Sequence, residues 1–84
     1  MWTEQDNALC RTFRFTDFKM AFSFMSDVAE EAEFQNHHPW WSNEYNTVSF
    51  RLRTHSAGNV ITDQDRKLAA SIDILAAEYG GEEA

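Results

Sequence analysis

Cysteine and proline each occur once in the 84 residues, and glycine three times. Each scarcity excludes something. A single cysteine, Cys10, rules out an internal disulfide framework, so the fold must rest on its core; a reducing, cytoplasmic compartment is the expectation. The opening residues, MWTEQDNALCRTF, lack the basic segment and apolar run of a signal peptide. No stretch approaches the ~20 apolar residues that span a bilayer, so no membrane association is expected. Positive charge is scarce too. Seven Lys and Arg stand against fourteen Asp and Glu, a formal net charge of −7. A protein that grips the phosphate backbone needs a basic face, so direct nucleic-acid binding is not expected.

What is present is the composition of a folded chain, 43% hydrophobic and 14% aromatic. There is no low-complexity tract and no repeat, and the length suits one domain over residues 1–84. A chain this short is near the limit at which one core suffices. Burial against its own copies would help, so a homodimer or homotetramer is expected.

Leu9, Phe13 and Phe15 share one parity in ALCRTFRF, which predicts a half-buried strand over 8–15, with Arg11 out of place; Trp2 could begin a short strand before it. Thr16 and Asp17 can cap a helix. Phe18, Phe22, Met25, Ala29 and Ala32 then recur at helical spacing as its apolar stripe, with Asp27, Glu30, Glu31 and Glu33 on the other side. Pro39 disfavours helical backbone at His38, so this helix should end near Asn36 or His37. Residues 40–44 read as a short strand and Tyr45-Asn46 as a turn. In TVSFRLRT, Val48, Phe50 and Leu52 alternate with Ser49, Arg51 and Arg53, a strand over 47–54. After a loop over 55–61, Thr62 and Asp65 form a capping-box pattern. Leu68, Ile72, Leu75 and Tyr79 are the stripe of a second helix, which Gly80 stops. Residues 81–84 read as a frayed acidic tail. The order of elements with short connections predicts an α+β fold: a four-stranded antiparallel sheet with two helices packed on one face.

The three histidines, His37, His38 and His55, raise the question of a site. If Tyr45-Asn46 is a two-residue hairpin loop, Glu44 pairs with Thr47, Trp41 with Phe50, Pro39 with Leu52 and His38 with Arg53. His55 is then one diagonal step beyond, ~7–8 Å away. His37 stands at a helix C-terminus, and Glu33, four residues earlier, could accept its hydrogen bond. Both features suit His37 to proton transfer near neutral pH. Asp65, in the first turn of the second helix, could orient a histidine or simply cap the helix. One of Trp40 and Trp41 should be core; the other could wall a pocket or an interface. Three histidines and a carboxylate also suggest a metal site, but adjacent histidines diverge and make poor ligand spacing.

The whole pattern resembles the pterin-4a-carbinolamine dehydratases, also described as dimerisation cofactors of a homeodomain transcription factor. HHPWWSNEYNTVSFRLRTHSAG is similar to the family's HHPxWxNxYNxVxxxLxTHxAG, and RTFRFTDFKMAFSFMSDVAEEAE to its Phe-x-Phe-x-x-Phe strand–helix segment. Glu33, His37-His38-Pro39, Tyr45, His55 and Asp65 fall on its motif. One departure stands out: the further N-terminal helix that members usually carry before the Trp2-like position is missing from this sequence. The resemblance implies dehydration of 4a-hydroxytetrahydropterin to quinonoid dihydropterin, which recycles the cofactor of aromatic amino acid hydroxylases. It implies a pterin as substrate and no metal or redox cofactor. His37 and His55 would be the acid/base pair and His38 would bind and orient the substrate, these three being the catalytic set. Glu33, Pro39, Trp41 and Asp65 would support them or touch the pterin. Because the family fold also binds proteins, a catalytically idle interaction module is the alternative.

Overall fold

The computed structural model describes residues 1–84. Its elements are β1 (Thr3–Gln5), β2 (Ala8–Arg14), α1 (Phe18–Gln35), β3 (Trp40–Glu44), β4 (Thr47–Leu52), α2 (Asp63–Glu78) and β5 (Glu82–Glu83). All strand pairings are antiparallel, in the order β1-β2-β4-β3. The alternation in β4 does what it implies: Val48, Phe50 and Leu52 are buried under both helices. Leu9 and Phe13 of β2 stand opposite Leu52 and Val48 and complete that face. The α+β architecture expected from the sequence is therefore present, with both helices on one side of the sheet, but the sheet has five strands rather than the expected four, because β5 pairs with β2.

The hairpin keeps the expected register, Glu44 against Thr47 and Trp41 against Phe50. Tyr45 takes a left-handed conformation (φ 50) at the turn. The Asn43 amide holds that turn by donating to the Tyr45 and Thr47 carbonyls. The ladder ends at Trp40 opposite Arg51, so the anticipated pairs Pro39–Leu52 and His38–Arg53 do not form. Proline has no N–H to donate, which stops the pairing there.

Two further expectations are corrected. The buried side of α1 is Ala21, Phe24, Val28 and Ala32, not the stripe led by Phe18 and Phe22, which are 46% and 56% exposed. The two stripes lie one residue, about 100°, apart. The buried stripe centres Phe24 among Phe13, Phe15, Phe50 and Tyr79. Asp27, assigned to the polar side, is half-buried and accepts a hydrogen bond from the Tyr79 hydroxyl at 2.6 Å. The tail is not frayed: β5 pairs with β2 at Phe13 and Arg14. Arg11 explains this. It points to the core side with its guanidinium 4.6 Å over the Phe13 ring, and its charge is met by Asp73 at 3.0 Å and Glu83 at 2.7 Å.

Candidate active site

Three segments meet at one end of the sheet. The first is the exit from α1. Asn36 adopts the left-handed conformation (φ 52) as C-cap, and its N–H reaches the Ala32 and Glu33 carbonyls. Asparagine tolerates this geometry better than other side chains with a Cβ. The reversal turns His37 inward, where it is buried, and leaves His38 exposed. The second segment follows β4. Thr54 bridges to Val60, closing a loop that holds a single 3₁₀ turn, His55–Ala57. Gly58 ends that turn at φ 94, a value glycine adopts without strain. The third segment is the first turn of α2, where the capping box of Thr62 and Asp65 is complete.

Asp65 joins all three. Its side chain is fully buried. Oδ2 accepts from the Thr54 hydroxyl and from the Thr62 N–H, both at 2.8 Å, and Oδ1 lies 2.6 Å from His37 Nε2. Thr54 Oγ1 is also 2.5 Å from Thr62 Oγ1. Because Thr54 donates to Asp65, Thr62 donates to Thr54. Two other donors already serve the carboxylate as an anion, so the proton in the His37 contact belongs to Nε2. His37 Nδ1 has no partner within the protein and is not sealed from solvent, and His37 lines the adjoining cleft.

That cleft has a volume of about 430 Å³ and no apolar side chain in its wall. His37, His38 and His55 all line it, with Arg53, Thr54 and Gln64 beside them. His55 Nδ1 is 2.9 Å from Asn59 Oδ1. A carbonyl oxygen accepts, so His55 carries its proton on Nδ1 and leaves Nε2 without a partner in the protein. His38 Nε2 is 2.5 Å from Glu33 Oε2 on the exposed rim. The expected Glu33–His37 contact is thus replaced by two others: Glu33 takes His38, and Asp65 takes His37. The left-handed Asn36 swings His37 off the face that Glu33 occupies. A smaller, more apolar groove of about 310 Å³ lies beside Trp2, Leu9 and Ala69, with no histidine in it.

The structure brings His37, His38, His55 and Asp65 together, with Glu33 at the edge. Pro39 and Trp41 lie outside the cleft wall. Trp41 packs on Phe50, with ring centroids 5.8 Å apart, while Trp40 is exposed. The anchoring roles of Thr54 and Asn59 were not read from the sequence. Thr54 carried a signal: it continues the inward parity of Phe50 and Leu52 with a polar side chain. Asn59 carried none beyond its place in a loop. No group of three or more His, Cys, Asp or Glu side chains is arranged to hold a metal ion, and no helix is long and apolar enough to cross a membrane.

An antiparallel α+β fold with three imidazoles around a polar cleft defines the class. The chain belongs to the pterin 4 alpha carbinolamine dehydratase family, whose model matches residues 1–75. It is 50% identical over 74 residues to a protein of Prochlorococcus marinus (strain MIT 9303), described provisionally as a pterin-4-alpha-carbinolamine dehydratase; the match covers 88% of this chain and 76% of that one. A Bradyrhizobium protein (strain ORS 278) with the same provisional description is 49% identical over 82 residues, covering 95% of this chain and 81% of its own. Among solved structures, a transcriptional coactivator/pterin dehydratase from Brucella melitensis superposes with a TM-score of 0.85 at 43% identity, covering 89% of this chain and 81% of that one. A pterin dehydratase-like protein identified as a RuBisCO assembly factor of the alpha-carboxysome superposes with a TM-score of 0.76 at 26% identity, covering 89% and 88%.

Proposed function

We propose that this protein dehydrates 4a-hydroxytetrahydropterin to quinonoid dihydropterin, the form that a separate reductase must then reduce to recycle the tetrahydropterin cofactor of aromatic amino acid hydroxylases. Hydroxide is a poor leaving group, so the C4a–O bond breaks as its oxygen takes a proton from a general acid and departs as water. The N5 proton passes to a general base, and the freed electron pair closes the C4a=N5 bond. A pair of imidazoles can serve as acid and base, each typically worth ~10²–10⁴ in rate. His37, whose ring Asp65 supports, donates the proton as the acid, and His55 accepts on Nε2 as the base. His38, paired with Glu33 at the rim, binds and orients the pterin. No metal or redox cofactor enters this chemistry.

The observation that supports this reading is that His37, His38 and His55 all line one polar cleft, with His37 and His55 each tethered through one ring nitrogen and the other nitrogen left without a partner in the protein. The test is a stopped-flow dehydration assay on 4a-hydroxytetrahydropterin. The parent protein should accelerate it, and a variant with all three histidines replaced by alanine should not. A second reading draws on the likeness to the RuBisCO assembly factor. In it, the fold is a catalytically idle protein-binding module, and folded parent protein would leave the dehydration rate at its background value.

A further inference from the structure

Two histidines that share a cleft can present either of two nitrogens, and only one arrangement suits a given substrate. The tethers decide which. Resting on the dehydratase reading above, we infer that Thr54 and Asn59 are positioning residues that hold His37 and His55 in opposite tautomers, leaving Nδ1 of His37 and Nε2 of His55 for the substrate.

Thr54 does this with three of its groups. Its hydroxyl donates to Asp65 Oδ2 at 2.8 Å, which fixes the carboxylate with Oδ1 toward His37 Nε2. Its carbonyl accepts from the Ala57 N–H at 3.2 Å and the Asn59 N–H at 3.0 Å, and its own N–H donates to the Val60 carbonyl at 2.8 Å. One buried residue therefore anchors both the carboxylate behind His37 and the loop that carries His55. Valine has the same shape without the hydroxyl, and serine keeps the hydroxyl, so the two functions separate.

Asn59 completes the second tether. It sits in the left-handed region at φ 60, which asparagine tolerates, and this bends its side chain back over the turn to His55. The carbonyl oxygen 2.9 Å from His55 Nδ1 requires a proton on that nitrogen. An imidazole free in water prefers its proton on Nε2, so without Asn59 the ring would show an N–H to the cleft where a lone pair is needed. The nitrogen that a histidine offers is set by the bond its other nitrogen makes.

The test is long-range ¹H–¹⁵N correlation of the imidazole rings in labelled full-length protein, at a pH where the rings are neutral, assigned with single-histidine variants. The parent should show His37 protonated on Nε2 and His55 on Nδ1. Asn59→Ala should move His55 toward the Nε2-protonated form, leave His37 unchanged, and lower kcat for 4a-hydroxytetrahydropterin about tenfold with KM held, the low end of what losing a supporting contact costs. Thr54→Val should blur the His37 assignment, and Thr54→Ser should restore it. If Thr54→Val does not fold, Asn59→Ala still decides, because its side chain lies in an exposed loop. His55 protonated on Nε2 in the parent, or unmoved in Asn59→Ala, overturns the inference. Ring spectra as stated in a protein without dehydratase activity would uphold the tethers and refute the reaction instead.

Discussion

Replacing Asp65 with Asn removes one charge and almost no volume, and helix capping alone makes it a mild change, because an amide oxygen can still accept from the Thr62 N–H. The geometry predicts otherwise. Asp65 accepts three hydrogen bonds on two oxygens. An Asn side chain has one oxygen. Thr54 and Thr62 both donate to the Oδ2 position, so the amide oxygen settles there and the NH₂ faces His37. Nε2 of His37 must then become an acceptor, its one proton moves to Nδ1, and the ring can no longer hold a proton on both nitrogens as the acid must. Anionic support for a charged ring is lost as well. Turnover should fall ~10²-fold or more, roughly 3 kcal/mol of barrier, with little change in KM. The fold should lose only about 1–2 kcal/mol, since one charged hydrogen bond is exchanged and the cap remains. Stopped-flow dehydration beside urea unfolding measures both numbers. A folded Asp65→Asn protein that turns over at the parent rate would refute the argument that the carboxylate sets the His37 tautomer.

Among the histidines, His37→Ala and His55→Ala should each lower kcat ~10²-fold or more, while His38→Ala should act mainly on KM; three variants at the parent rate would end the acid/base reading. The hydrogen bond to Asp27 raises Tyr79 above its ordinary 10.0, with burial adding to the effect. The protonated phenol is thus the form the fold favours. Its contribution is complete below the ordinary value and is lost as pH rises through the higher folded value. The phenolate absorbance step that disappears in Tyr79→Phe should lie above 10.0, and alkaline loss of thermal stability should be shallower in that variant. Phe24→Ala should cost ~3–5 kcal/mol in denaturant unfolding, because the ring is fully enclosed by other aromatics. The chain should sediment as a homodimer or homotetramer at micromolar concentration, since Phe18, Phe22, Phe34 and Trp40 are exposed and β3 is an open sheet edge; a lone monomer would contradict this.

Patterns that depend on period and on local chemistry were legible in the sequence. Val48, Phe50 and Leu52 alternate because one side of β4 is buried, and a two-residue turn pins the register, so Trp41 falls opposite Phe50. Asp17 and Thr62 cap their helices for reasons visible within four residues. Choices between near-equal alternatives were not legible. Helix α1 has two overlapping apolar stripes that share Ala32, and period alone does not choose between Phe18 and Phe22 on one and Phe24 and Val28 on the other. The pairing of Glu33 with His38 turns on a single left-handed residue, Asn36, that periodicity does not reveal. β5 brings Arg11 its second carboxylate, Glu83, from 72 positions away in the chain, a distance no local pattern spans. The hairpin register was legible as far as Trp40, but the pairs Pro39–Leu52 and His38–Arg53 by which it was to bring the histidines together do not form; the hydroxyl and amide that hold them were not legible, since Thr54 and Asn59 become informative only once the loop is closed.

The capping box in the first turn of α2 has a consequence for tracing this site through divergent sequences. Asp65 has two employments, ending a helix and holding His37, so a descendant that gave up its chemistry would still be penalised for losing it. His55 has one. It is exposed, packs against nothing in the core, and bonds only to a neighbour in its own loop. When selection on the reaction relaxes, drift reaches His55 first and Asp65 last. The presence of His55, rather than of Asp65, is therefore the sharper sign that a chain of this fold still works on a substrate.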